Sequence, residues 1–130
     1  MICGIGIDLA DIARISRLLG RHPERARRRL FTAGERSYCD GRAEPARHFA
    51  ARFAAKEAAY KALAGSEDAR HIHWQDIEVA NSPADGRPML RLHGRAAKRA
   101  EVLGVFSAHI SLTHSDQVAA AVVVLECRAD

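Results

Sequence analysis

The spacing of apolar positions changes repeatedly along the chain, and each change predicts an element. In "ICGIGIDL", Ile5 and Ile7 alternate with glycines, a period of two that predicts a short strand. From Ala10 the period lengthens: Ile12, Ile15 and Leu19 recur at helical spacing, with Arg14, Arg17 and Arg21 on another face. Gly20 and Pro23 close that helix, and a second helical segment runs through "ERARRRLF". "TAGERSYCDGRAEPAR" is mixed, its Gly and Pro marking turns. The longest helical signal is "RHFAARFAAKEAAYKALAG", rich in strong helix formers and ending at Gly65, a good residue just past a helix end. Phe49, Phe53, Tyr60 and Leu63 fall on one arc of it and are expected in the core, while its alanines allow other backbone to come close.

"IHWQDIEVA", the turn "NSPADGRP" and "MLRLHG" predict a β-hairpin. "RAAKRAEVLG" predicts a short helix ending at Gly104, and "FSAHISLTHSDQVAAAVVVLEC" two strands joined around residues 114–117. The resulting order, β-α-α-α-β-β-α-β-β, predicts a compact α+β domain with an antiparallel sheet packed against the long central helix. No repeat, linker or low-complexity tract interrupts it, so residues 1–130 are expected to form a single domain.

Composition narrows the class. Apolar residues make up 48% of the 130 and charged residues 28%, ordinary for a folded soluble protein. The first apolar stretch meets Asp8 too soon for a signal peptide, and no run reaches the length of a membrane span. Cys3, Cys39 and Cys127 are odd in number and scattered, which argues against disulfides and a zinc site and for a reducing cytoplasm. The net charge of +4 comes mostly from arginine and implies an acidic partner: a nucleic acid, a phosphorylated cofactor or an acidic protein.

Chemistry concentrates in three stretches. "GIGIDLADIARI" fails the dinucleotide-loop fingerprint, because Leu9 stands where the third glycine belongs. Asp8 can cap the following helix, but Asp11 is a second candidate cap, which leaves Asp8 at the strand end. Gly4 and Gly6 in a strand mark a place where a ligand or other backbone comes close. In "RFAAKEAAYKAL", Glu57 and Lys61 share a helix face and can form an ordinary surface pair. Arg52, Lys56 and Lys61 also surround that one acid with cations, a composition suited to a metal ion meeting phosphates. Lys56 points toward the phenylalanine arc, where a lysine needs a partner. In "SLTHSDQVAAAVVV", Ser111, Thr113 and His114 end a strand before its turn; their spacing makes no hydrolase triad, and His114 is either an exposed turn residue or a phosphate or water ligand.

Together, in this order, "GIGIDLADIARI", "RFAAKEAAYKAL" and "ISLTHSDQVAAAVVV" resemble the holo-acyl-carrier-protein synthase family, the short class of phosphopantetheinyl transferases. The likeness covers nearly the whole chain, "WQDIEV" and the hairpin included. It implies Mg²⁺-dependent transfer of 4′-phosphopantetheine from coenzyme A to a serine of an apo acyl carrier protein, releasing adenosine 3′,5′-bisphosphate. On the matching positions, it implies Asp8 and Glu57 as Mg²⁺ ligands and Lys61 on the phosphates, stabilising the departing one. It also implies His114 and Arg52 on coenzyme A phosphates, with Glu57 as base, directly or through a metal-bound water. It further implies a homotrimer with active sites at subunit interfaces. Carrier proteins are acidic, so Arg14, Arg17, Arg21, Arg25 and Arg28 are the expected docking stripe. Two features depart from the family pattern: "AGSEDARHIHW" replaces a glycine-rich turn after the central helix, and Val118 stands where an aromatic is usual.

Three other readings compete, one of them a non-catalytic oligomeric scaffold of the same fold, against which the intact Asp8, Glu57 and Lys61 argue. A transferase serving a polyketide or peptide carrier has the same motifs. A basic nucleic-acid-binding module needs exposed stacking aromatics, whereas aromatics are 5% of this chain and fall mostly at core positions, so neither nucleic acid nor membrane is an expected partner.

Overall fold

The computed structural model of the chain describes residues 1–129. Strand β1 (Ile2–Asp11) leads into four helices: α1 (Ile12–Arg21), α2 (Pro23–Leu30), α3 (Ala33–Asp40) and the long α4 (Pro45–Leu63). A hairpin of β2 (Ile77–Asn81) and β3 (Pro88–Leu92) follows, then α5 (Gly94–Leu103) and the closing pair β4 (Val105–His114) and β5 (Val118–Cys127). The α+β expectation holds, with two antiparallel sheets in place of one: β1-β5-β4 as a three-stranded sheet and β2-β3 as a separate ribbon.

The sheet's inner face lies on α4. From Gly4 onward, residues of even number in β1 point inward: Gly4 and Gly6 pair with Leu125 and Val123, both buried, and Ala10 with buried Ala119. A methyl group added to Gly4 would strike the Ala62 carbonyl oxygen, and one on Gly6 the Ala58 carbonyl oxygen. Two residues of strand, about 6.6 Å, thus match four residues of helix, about 6 Å. The two backbones run past one another in step. Only glycine on the strand and alanine on the helix permit this approach, and Ala54, Ala55, Ala58 and Ala59 are all fully buried.

Because most of α4 is enclosed, its apolar residues do not form a single stripe. Phe49 and Leu63 are buried as expected, whereas Phe53 and Tyr60 are only half-buried, Phe53 stacking on Trp74 at 5.0 Å between centroids. Lys56 has the partner its position demands, but that partner is Glu35 of α3, at 2.8 Å, with both side chains wholly buried. Lys56 also donates to the carbonyls of Trp74 and Ile77, and Glu35 accepts from the Val79 and Thr32 amides, so both charges are satisfied within the interior. Burial holds the Lys56 ammonium below its usual range, with Glu35 opposing that shift.

Helix α3 sits in the stretch read as mixed. Thr32 and Glu35 form a reciprocal capping box that starts it. Where a strand is predicted over "IHWQ", Ile72 and His73 are irregular and a short 3-10 turn, Trp74–Asp76, follows, a first such turn, Asp68–His71, preceding them, and β2 begins only at Ile77. Strand β1 runs to Asp11, beyond the expected change of period, because its pairing with β5 continues to Val118. Asp11 caps α1 by accepting from the Arg14 amide, and Asp8 stays in the strand.

The expectation of no disulfide is wrong. Cys3 and Cys127 are bonded, their Cα atoms 5.7 Å apart. β1 and β5 are adjacent although at opposite ends of the sequence, and an irregularity between Ile2 and Gly4 leaves Cys3 as the extra residue, aimed at its partner. Scattered spacing carried no sign of this, and the inference from cysteine count to a reducing compartment loses its basis. Cys39 alone is free; burial pushes its thiol up to about 12.

The contact between strand and helix generates a prediction. Gly6→Ala is expected to lower stability by about 3 kcal/mol or more, since the obstacle is helix backbone and not a mobile side chain. Denaturant unfolding with unchanged slope and a lower midpoint would register it; an unchanged midpoint would mean that α4 does not rest on this strand.

Candidate active site

The inward-facing series of β1 places Asp8 on the α4 side of the sheet, one step beyond Gly6. On α4, Glu57 and Lys61 sit one turn apart and project toward it. The Lys61 ammonium reaches the Asp8 carboxylate at 2.9 Å and the Ile7 carbonyl at 3.0 Å. Asp8 is largely covered, Lys61 half exposed. Partial burial raises the Glu57 carboxyl above its ordinary range, the Asp8 charge adds to that rise, and Lys61 opposes it. Asp8 and Glu57 are therefore a like-charged pair beside the β1–α4 contact.

Among the described residues, no three His, Cys, Asp or Glu side chains converge as a metal cluster. A two-carboxylate donor set suits Mg²⁺, which takes few protein ligands and fills its shell with water and phosphate oxygens. The mutual repulsion of Asp8 and Glu57 is the observation that fits a divalent cation there. A cavity of about 250 Å³ opens beside Glu57, lined by Tyr60, Arg70, His73 and Trp74. Arg70 and His73 come from "AGSEDARHIHW" and bring a cation and an imidazole to the wall. Neither residue stood out in the sequence, because only the 3-10 turns fold them back against α4.

The cluster of three cations around Glu57 does not form. Lys56 turns inward to Glu35, and Arg52 points to another side of α4, where it is almost wholly buried. The Arg52 guanidinium lies 4.1 Å from the centroid of the Tyr38 ring and donates to Asn81 Oδ1 at 2.8 Å, while its Nε has no partner. His114, exposed at the end of β4, lies 6.3 Å from the His48 ring, which in turn meets Tyr38 edge-on at 5.9 Å. Arg52 and His114 thus belong to one group gathered around Tyr38 and His48. Ser111 and Thr113 face the other side of the sheet, opposite Val122 and Ala120 of β5.

The five arginines of the expected docking stripe are all exposed, Arg14, Arg17 and Arg21 on α1, and Arg25 and Arg28 on α2. Arg28 has a loose partner in Glu24 at 3.4 Å; the other four pair with no carboxylate among the described residues.

Residues 4–123 match the model of the 4′-phosphopantetheinyl transferase superfamily. The chain belongs to this family. It is 51% identical over 130 residues to the holo-[acyl-carrier-protein] synthase of Methylobacterium radiotolerans, covering 97% of this chain and 94% of that one. The holo-[acyl-carrier-protein] synthase structure from Neisseria meningitidis superposes with a TM-score of 0.83 at 27% identity, covering 97% of this chain and 99% of the other. The Bacillus anthracis enzyme in complex with CoA (3′,5′-ADP) superposes with a TM-score of 0.76 at 34% identity, over 98% and 99% of the two chains. This phosphopantetheinyl transferase is accordingly a transferase, and its fold is the one those structures share.

The coupling of the two carboxylates is directly measurable. Asp8→Asn removes the like charge and frees Lys61, so Glu57 is expected to titrate lower, nearer an ordinary glutamate. Carbon-detected NMR titration of metal-free protein would follow it; a Glu57 value that stays put or rises would separate the two groups.

Proposed function

We propose that the protein transfers 4′-phosphopantetheine from coenzyme A to a serine hydroxyl of an acidic acyl carrier protein, releasing adenosine 3′,5′-bisphosphate. The juxtaposition of Asp8, Glu57 and Lys61 beside the β1–α4 contact carries this reading. The coenzyme A bound by the Bacillus anthracis relative supports it.

The serine oxygen attacks the phosphorus next to pantetheine, forming a new P–O bond as the bond to the adenosine bisphosphate breaks. Such a reaction depends on positioning and neutralisation of charge. Asp8 and Glu57 would hold Mg²⁺, which supplies positive charge to the pyrophosphate oxygens. Lys61 leans over the same carboxylates and carries its ammonium to the departing phosphate. Glu57 is the proposed acceptor of the serine proton, either directly or through a water. Arg52 and His114, gathered on another side of α4, are the proposed contacts for coenzyme A phosphates in active sites shared between subunits.

Exposed arginines on α1 and α2 receive the carrier. β1 runs from Asp8 through the Asp11 cap directly into α1, so the docking face and the metal ligand lie a few residues apart on one continuous segment. Long-range charge attraction mainly raises the rate of encounter and weakens in salt.

The homotrimer is also part of this proposal. From Ile5 onward, odd-numbered residues of β1 face away from α4, and Ile5, Ile7 and Leu9 are each about two-thirds exposed. They lie in register with Val124, Val122 and Ala120 of β5, which makes a contiguous apolar face on the outer side of the sheet. A face of this kind is covered by other copies of the chain.

Incubation with apo carrier, coenzyme A and Mg²⁺ is expected to add the mass of phosphopantetheine to the carrier, and tests across fatty-acid, polyketide and peptide carriers would show which is preferred. Asp8→Ala and Glu57→Ala are each expected to slow transfer by about 10²-fold or more. No mass gain on any carrier would overturn the reading.

Light scattering is expected to give three times the 14.2 kDa chain mass for the wild type and a smaller species for Ile7→Asp. A monomeric wild type would remove the trimer alone.

A further inference from the structure

His48 stands outside every motif, yet it lies among Arg42, Arg47, Arg52 and His114. It is the fourth residue of α4, in the helix's first turns, where the macrodipole favours anions. From α3 the Tyr38 ring meets it edge-on at 5.9 Å, and from β4 the His114 ring at 6.3 Å. Arg42, in the loop before α4, and Arg52, two turns along α4... both lie over the same Tyr38 ring, at 5.3 and 4.1 Å from its centroid. Arg47 is its neighbour in the helix. The two carboxylates that reach this group, Glu44 and Asp116, both pair with Arg47, at 3.2 and 2.8 Å. Arg42 and Arg52 have no carboxylate partner among the described residues, and the buried Nε of Arg52 has no hydrogen-bond partner.

Positive charge gathers around a half-buried imidazole, and within the same group the buried Nε of Arg52 has no hydrogen-bond partner, a composition that suits an anion. We propose that His48 is a further coenzyme A phosphate contact, taking up a proton as a phosphate group of the substrate settles among Arg42, Arg52 and His114. This rests on the proposed placement of coenzyme A phosphates at Arg52 and His114. Without ligand, His48 is held below the ordinary histidine range by burial first, then by Arg42, Arg52, His114 and Arg47. It is thus neutral near pH 7 and adds nothing to the repulsion within the group. A phosphate reverses the balance: its negative charge stabilises the imidazolium, which then donates a charge-assisted hydrogen bond. The sign follows. Between the lowered value of the free protein and the raised value of the complex, binding takes up a proton, so affinity strengthens as pH falls.

The test follows the His48 ring signal by NMR in a pH titration, with and without saturating adenosine 3′,5′-bisphosphate, beside calorimetric binding for wild type and His48→Gln. The His48 titration is expected to move upward on binding. His48→Gln is expected to bind about tenfold more weakly at pH 6, with a smaller deficit at pH 8. Ligand that binds the wild type while the His48 titration stays in place, or a His48→Gln protein that binds like wild type at pH 6, would overturn this role and leave Arg52 and His114 untouched. Wild type that binds no adenosine 3′,5′-bisphosphate would overturn the underlying phosphate placement, and His48 with it.

Discussion

Backbone touches backbone where β1 crosses α4, and this contact orders everything around it. Gly4 and Gly6 give up side-chain burial, and glycine in a strand carries an entropic cost. In return the helix comes close enough for alanine alone to fill the gap. The short distance is also what makes the site: Asp8 is the next inward residue of the same strand, and a strand that stood off by the width of a leucine would leave it far from Glu57 and Lys61. The glycines in "GIGID" therefore act through a helix, and no phosphate loop is involved.

α4 distributes its polar side chains in different directions, each with a separate duty. Lys56 goes inward to Glu35 and to the carbonyls of Trp74 and Ile77, tying the helix to α3 and to the start of β2. Arg52 goes to Tyr38 and Asn81. Lys61 goes to β1. A buried ion pair is weak evidence of net stabilisation, since desolvation offsets its attraction, but it resists rotation of the helix because no other orientation satisfies both charges. Glu57 immediately follows Lys56, so the interior pair sets the azimuth at which Glu57 leaves the helix. Rigid support of this kind is what positioning catalysis requires.

Local features of the fold were legible, and long-range ones were not. The Asp11 cap, the ends of α4 and α5 at Gly65 and Gly104, and the β4–β5 turn all follow from residues a few positions apart. Helix α3 had its own signal, the T-x-x-E of Thr32 and Glu35, obscured by Gly34 within the first turn and by the short length of the helix. "IHWQ" reads as strand by composition, yet Trp74 is drawn against Phe53 and the backbone coils into a 3-10 turn. For the site, Asp8, Glu57 and Lys61 meet as the motifs imply. The supposed ring of cations around Glu57 fails because Lys56 finds an acid far away in sequence, on α3. The Cys3–Cys127 bond and the His48 group fail to show for the same reason: each is assembled from segments that only the folded topology brings together.

β1 also joins two functions that a single residue of slippage would exchange. Side chains alternate across a strand, so Ile7 and Leu9 face outward while Asp8, between them, faces α4. A shift of one position would turn the carboxylate to the apolar outer face and drive isoleucine into the Ala58 backbone. Three features oppose that shift: the glycines, which alone fit against α4; the pairing with β5 from Ile2 to Asp11; and the Cys3–Cys127 bond at the strand's beginning. Closure of the outer apolar face by other copies would add a fourth, since it would hold the same strand from the opposite side. Assembly and catalysis would then not be separate properties of this chain, because the register that exposes Ile5, Ile7 and Leu9 is the register that presents Asp8 to Glu57.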